Sequence, residues 1–322
     1  SNWPNNNCKI NKINMKKISF LLLAFVFSGS LYSQQLPQLT QFMDNGYVLN
    51  PAFAGMDDYY QVRTTIRNQW TGITDAPSTT ILSIYGKQED NVGLGGVIFN
   101  DQYGHTSRSG GAISYAYHLS LNEKIKLSLA LSGGFTQFKI DKNGWNVSNP
   151  NDPLTQGDVI VETVPDATFG FNLYSKDWCF GVAIPQLLTS NLNLLDNNLA
   201  NTLSTDQSGT LSRHIYVMGA YKFSASKSWK IEPSFLLKSV TPSPLQFDFA
   251  VKAIYDKKLW FGADYRSTGD IGALFGYSIN DRYLIGYSYD ILNSELSDYS
   301  TGSHEFMLAI KLKKTQPNLV KY

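Results

Sequence analysis

The chain has 322 residues, and its 27 Lys and Arg nearly balance its 26 Asp and Glu. There is no basic excess to draw it to nucleic acid and no acidic tail. Charged residues make up only 16%, against about a quarter in a typical soluble domain, while 19 Tyr, 18 Phe, 6 Trp and 25 Gly suit strands that meet lipid on one side.

Residues 1–14 read as an upstream extension and are set aside from the fold. Residues 15–33 follow the plan of a secretory signal peptide. Met15-Lys16-Lys17 is basic, Phe20 to Phe27 is almost wholly apolar, Ser28-Gly29-Ser30 is small, and cleavage is expected after Ser33. No Cys follows the apolar run, which argues against a lipoprotein. Cys8 leaves with the signal, and Cys179 reads as a small buried apolar residue rather than a nucleophile. After Ser33 no apolar run approaches the roughly 20 residues a spanning helix needs. A membrane-embedded chain must then be a closed barrel, because lipid leaves no partner for an unpaired backbone group.

Residues 34–58 lack periodicity, and Asn50-Pro51-Ala52-Phe53-Ala54-Gly55 has turn chemistry. This stretch reads as a periplasmic or lumen-packed segment ahead of a barrel over 59–312. There the residues alternate. Ile125, Leu127, Leu129 and Leu131 oppose Lys126, Ser128 and Ala130; Phe306, Leu308, Ile310 and Leu312 oppose Glu305, Ala309 and Lys311. A period of two is the strand signature. About fourteen antiparallel strands are expected, beginning near Tyr59, Ser78, Val92, Ser107, Ile125, Pro165, Asp177, Ser212, Ser228, Gln246, Leu259, Gly269, Tyr283 and Ser303.

One set of connections is short, such as Leu121 to Lys124 and Asp256 to Lys258. The other is mostly longer, including Gln69 to Pro77, Gly144 to Val164, Gln186 to Leu211 and Leu292 to Gly302. Short turns on one rim and long loops on the other mark an outer-membrane barrel. An even strand number returns both termini to the short-turn, periplasmic side, and 313–322 reads as a polar periplasmic tail. Tyr255, Trp260, Tyr265, Tyr277, Tyr283 and Tyr289 fit aromatic girdles. The rival reading, a water-soluble β-sandwich with Tyr at its edges, offers no reason for the loop sorting.

Candidates for chemistry are sparse. His105, His118, His214 and His304 lack ligand-like spacing and read as lumen or loop residues. Gly93-Leu94-Gly95-Gly96 has no helix after it, so these are strand glycines that bend the wall or admit a bulky neighbour. Asn149-Pro150-Asn151-Asp152-Pro153 lacks EF-hand spacing and reads as a surface loop. Asp57-Asp58 and Glu89-Asp90 point to opposite faces as strand neighbours and keep the rim wet. Lys230, Glu232, Lys238, Asp248, Lys252, Glu305 and Lys311 face a lumen, as a selectivity lining or as mutually neutralising charges. No catalytic residue, cofactor or metal site is expected.

Three pieces stand in order: Asn50-Pro51-Ala52-Phe53-Ala54-Gly55; Arg67-Asn68-Gln69-Trp70-Thr71-Gly72; and Pro77 with Thr79 opening the next strand. In these the chain resembles the PorP/SprF family of Bacteroidetes. The resemblance implies an outer-membrane barrel tied to the type IX secretion and gliding system. Such a barrel supports secretion or surface attachment of a large adhesin, or handles its C-terminal domain, with periplasmic secretion-motor ring proteins as further partners. It carries over no catalytic residue. The pattern residues Asn50, Pro51, Ala52, Phe53, Gly55, Arg67, Gln69, Trp70, Gly72 and Pro77 are expected to be structural or partner-binding. Pro51 and Gly55 set a turn, and Trp70 anchors at an interface, packs on a partner or serves as an ordinary girdle residue.

The leading expectation is a non-enzymatic secretion barrel. Loops Gly144 to Val164 and Gln186 to Leu211 are the expected partner surface, because Leu187-Leu188 and Leu194-Leu195 need cover. A passive or hydrophobic-solute channel is the alternative, and a surface hydrolase a third.

Overall fold

The computed structural model describes residues 36–143, 145, 159–194 and 209–312. The expected signal peptide, the upstream extension, the 313–322 tail and the Asn149–Pro153 turn lie outside them. Among the described residues there are fourteen long strands: β1 Tyr60–Asn68, β2 Ser78–Glu89, β3 Val92–Tyr103, β4 Thr106–Ser120, β5 Lys126–Asp141, β6 Val159–Tyr174, β7 Trp178–Ile184, β8 His214–Tyr221, β9 Trp229–Val240, β10 Gln246–Tyr255, β11 Leu259–Arg266, β12 Ile271–Ile279, β13 Tyr283–Ile291 and β14 Ser303–Leu312. Each pairs antiparallel with its sequence neighbour. Strand β1 also pairs with β14, from Tyr60 opposite Leu312 to Asn68 opposite His304, and this closes the barrel. No helix of the described residues is long and apolar enough to cross a membrane.

The alternation sorts chemistry by face. Outward Ile98, Ile113, Leu131 and Phe135 are more than half exposed, while inward Ser114, Ser128, Ser132 and Thr136 are buried. In water such an apolar exterior is costly; in lipid it is not. The band has a visible upper limit. The register aligns outward Asn100, Ser109, Gln137 and Thr163 in one polar row, just above Ile98, Gly111, Phe135 and Pro165. Strand β5, with 16 residues, rises roughly 40 Å at ordinary rise and tilt, against an apolar band of about 25 Å. Strands β4 to β6 therefore stand clear of the bilayer on the long-loop side. Short turns such as Asp256–Lys258 and Asn280–Arg282 share the opposite, periplasmic rim.

Several expectations change. Strand β6 starts at Val159, six residues before the expected Pro165. Its pairing with β7 reaches only from Tyr174 to Phe169, so above that point β5 is its one long partner, and proline is tolerated at such an edge. Trp260 is not a girdle residue. It shares the inward register of Asp264 and Arg266 and lies over Gly276, whose missing side chain makes room. Tyr255, Tyr265, Tyr277 and Tyr283 do face outward and are exposed. His304 lies in neither lumen nor loop. It faces outward on β14, with Nδ1 2.8 Å from the Tyr287 hydroxyl. Cys179 is half-buried at the periplasmic end of β7.

In the Gln186 to Leu211 region, Asn191–Leu192 pairs with Gly209–Thr210. Leu194 packs on an apolar cluster of Phe138, Val164, Leu192 and Leu211 inside the tall wall, while Leu188 is half exposed. Leu195 lies outside the described residues.

Candidate functional site

The segment before β1 fills the lumen. Its first described residues stand at the extracellular mouth, while β1 starts and β14 ends at the periplasmic rim. Leu36, Pro37 and Gln38 border an extracellular cavity. Just below, the Thr40 and Gln41 amides donate to the Glu305 carboxylate at 2.8 and 3.0 Å. The Thr40 hydroxyl donates to Asp290 at 2.8 Å. Arg67 completes the anchor: Nη1 donates to Thr40 Oγ1 at 2.8 Å and lies 3.1 Å from Glu305, and Nη2 reaches Asp290 at 2.5 Å. Arg67 is 1% exposed. A guanidinium so far from water holds its place through paired, hydrogen-bonded carboxylates. Around it Lys238 pairs with Asp248 at 2.9 Å, and Arg266 with Asp248 and Asp270 at 3.3 and 3.6 Å.

Below this network the segment turns apolar. Phe42 and Leu49 pack with Ala183, Tyr216, Met218 and Leu236. A short helix α1, Gly46–Leu49, carries Tyr47, which stacks on Tyr85 at 4.3 Å and shares a 2.9 Å hydrogen bond with Ser114. The glycines of β3 admit this neighbour. A Cβ on Gly95 would sit 2.5 Å from the Tyr47 hydroxyl, and one on Gly93 would overlap the Ala54 carbonyl.

The first piece of the family pattern lies deeper still. Asn50 caps the 3-10 turn Pro51–Phe53: its Oδ1 accepts from the Ala52 amide at 3.0 Å, and its Nδ2 donates to the Phe171 carbonyl at 3.0 Å. Pro51 sits at the first helical position, where its missing N–H costs no bond. Ala52 and Ala54 are fully buried. Gly55 has φ +84°, and a Cβ there would also meet His118. His118 lies in the lumen, with Nε2 2.8 Å from the Ala54 carbonyl and Nδ1 2.8 Å from the Tyr174 hydroxyl. The carbonyl only accepts, so Nε2 carries the proton and Tyr174 donates to Nδ1. Asp44 anchors this end through Lys252 at 2.7 Å, and Lys252 also pairs with Glu232 at 3.3 Å. The charges expected to line a lumen are thus largely neutralised.

The second piece sits at the extracellular mouth. Arg67, Gln69, Trp70 and Pro77 border the cavity of about 440 Å³ with Tyr103, Arg266 and Leu292. Gln69 donates its amide to the Pro77 carbonyl at 2.9 Å, and Thr71 exchanges backbone bonds with Gly302 and Thr301. Gly72, at φ +105°, lies under the Tyr299 carbonyl. The pattern is therefore divided. Asn50, Pro51, Ala52, Phe53 and Gly55 shape the buried turn, while Gln69, Trp70, Gly72 and Pro77 shape a mouth. Arg67 ties the mouth to the segment. Thr40, Asp44, Arg266 and Asp290 are members of the site that the sequence pattern does not single out. The alternation in Gln61, Arg63, Thr65, Arg67 was the available signal for the β1 members.

A second cavity, of about 910 Å³, opens at the periplasmic mouth. Nine Lys and Arg and five Asp and Glu line it. Lys311 lies 5.1 Å from the Tyr59 ring. Burial, and then the Asp57 carboxylate, hold the Tyr59 phenol above its usual range, so the ring stays neutral. Asp58 pairs with Lys87 at 2.8 Å on this rim.

A closed antiparallel barrel with an apolar exterior, a polar interior and sorted loops is an outer-membrane β-barrel protein. The model of the type IX secretion system membrane protein PorP/SprF family matches residues 31–310, and the chain belongs to that family. No curated sequence matches it. Among solved structures it is similar to the Acinetobacter baumannii outer membrane protein Omp33 (7% identity, TM-score 0.46, 80% of this chain and 100% of that one). It is also similar to the CymD monoaromatic hydrocarbon channel (10%, 0.49, 83% and 91%) and the Pseudomonas putida toluene transporter TodX (9%, 0.45, 88% and 93%).

Proposed function

We propose that this barrel is a non-enzymatic component of the type IX secretion and gliding system that supports secretion or surface attachment of a large adhesin-like substrate. The observation that carries the reading is the gathering of Arg67, Gln69, Trp70 and Pro77 around one extracellular cavity in a chain of a secretion family. The cavity joins an indole and prolines to buried charge, a surface suited to a peptide chain such as the substrate's C-terminal domain. Periplasmic secretion-motor ring proteins are the second expected partner. A segment bonded at both ends and packed apolar in between counts against a passive channel.

The test is an affinity pull-down from detergent-solubilised native membranes with mass spectrometry, comparing the natural chain with Trp70→Ala. A very large secreted protein with a C-terminal sorting domain is expected with the natural chain, and its yield falls with Trp70→Ala. Recovery of the barrel alone, under conditions that keep known complexes intact, would sink the proposal and make liposome flux the next measurement.

A further inference from the structure

The two mouths differ in how their charge is met. At the extracellular end Arg67, Lys238 and Arg266 each pair with a carboxylate. At the periplasmic end Lys222 and Lys252 share Glu232, and Lys252 also holds Asp44. Arg63, Lys126, Lys230 and Lys311 line the same cavity, and among the described residues none has an ion-pair partner. Arg63 is the sharpest case. It is 7% exposed, yet its guanidinium meets only neutral groups: it donates to Met307 Sδ at 3.0 Å and Gln61 Oε1 at 2.9 Å and hydrogen-bonds the Tyr85 phenol, while Nε has no partner. Buried cations are ordinarily paired, and the unpaired state is costly.

We infer that the periplasmic cavity is a docking site for an acidic peptide segment of a periplasmic protein, whose carboxylates meet Arg63, Lys126, Lys230 and Lys311. Phe53, Tyr59, Tyr85, Trp178 and Trp260 supply aromatic walls for its side chains. Lipid phosphate fits less well. The register turns Lys126 and Lys230 into the lumen, opposite the outward Leu127 and Ile231, and a phospholipid held by its acyl chains does not bring its headgroup there. Residues 313–322 bring Lys313, Lys314 and Lys321 and no carboxylate side chain, so they do not meet the charge. The inference goes beyond the extracellular reading and uses other residues at the other mouth, so either can fail alone.

The test uses the full chain in neutral detergent with rhodamine-labelled hexaglutamate, read by fluorescence anisotropy, and hexaglutamine as the uncharged control. Hexaglutamate binds, and its affinity falls with salt. Reversing the inward charges, Lys126→Glu with Lys230→Glu and Lys311→Glu, weakens binding at least tenfold. Reversing two rim lysines outside the cavity, Lys227→Glu with Lys258→Glu, changes it less than twofold. If heat-modifiable migration shows the triple reversal misfolded, the three Lys→Gln changes replace it, with at least a threefold loss expected. Equal affinity for hexaglutamine, or equal loss in the inward and rim variants, overturns the inference. So does displacement by inorganic phosphate at equal molarity, or by phosphatidylglycerol when the barrel sits in nanodiscs; those outcomes assign a phosphate or lipid site.

Discussion

Arg63 and Arg67 stand four residues apart on β1, face the same lumen and are both almost wholly buried. Arg67 is clamped between Asp290 and Glu305 and through them holds Thr40 and Gln41. Arg63 has a thioether, an amide and a phenol for company, and no carboxylate. The same side chain, on the same strand and the same face, serves two purposes. At the extracellular end it is spent on holding the N-terminal segment, while at the periplasmic end its charge stays available to a ligand. Burial alone does not say which; the partners do.

The largest effect expected from this contrast is all-or-none and concerns which mouth faces out. In a Cys179→Ser background, Gln38→Cys is labelled by an impermeant maleimide on intact cells, while Lys257→Cys is labelled only after the outer membrane is permeabilised. The opposite pattern would invert the assignment of the two mouths. Next in size is Arg67→Met, which strands two buried carboxylates. A loss of about 3–5 kcal/mol is expected in urea unfolding, with solute leak into liposomes as the filled lumen loosens. An unchanged midpoint would mean that the anchor contributes nothing. Smallest is Arg63→Met, which removes a charge that lacks a counter-ion. Stability should stay within about 1 kcal/mol or rise. A loss as large as that of Arg67→Met would erase the distinction between the two arginines.

Much of this was legible beforehand, because a strand advertises itself locally. Neighbouring side chains take opposite faces, so Leu127, Leu129 and Leu131 against Ser128 and Ala130 declare both the strand and its lipid side. The strand starts at Ser78, Val92, Gln246, Leu259, Tyr283 and Ser303 match the expected positions. The misses have local causes as well. Pro165 looked like a boundary because a proline removes a ladder donor, and only the shortness of β7 shows that the position is an edge. Trp260 looked like a girdle residue because tryptophan so often is; its register and the space over Gly276 turned it inward.

The sequence by itself determined the class of the molecule: a barrel with apolar outside and polar inside, short turns below and longer loops above, and a family pattern near its start. Those properties follow from a period of two and from turn chemistry, both confined to a few consecutive residues. Only the tertiary structure decided what residues 36–58 do and which charges pair. The bond from Thr40 to Asp290 spans 250 positions, and that from Lys252 to Asp44 spans 208. No periodicity within the segment encodes such contacts. They exist because closing the barrel brings β1, β13 and β14 together around one lumen, where a buried carboxylate must find a partner at whatever distance along the chain.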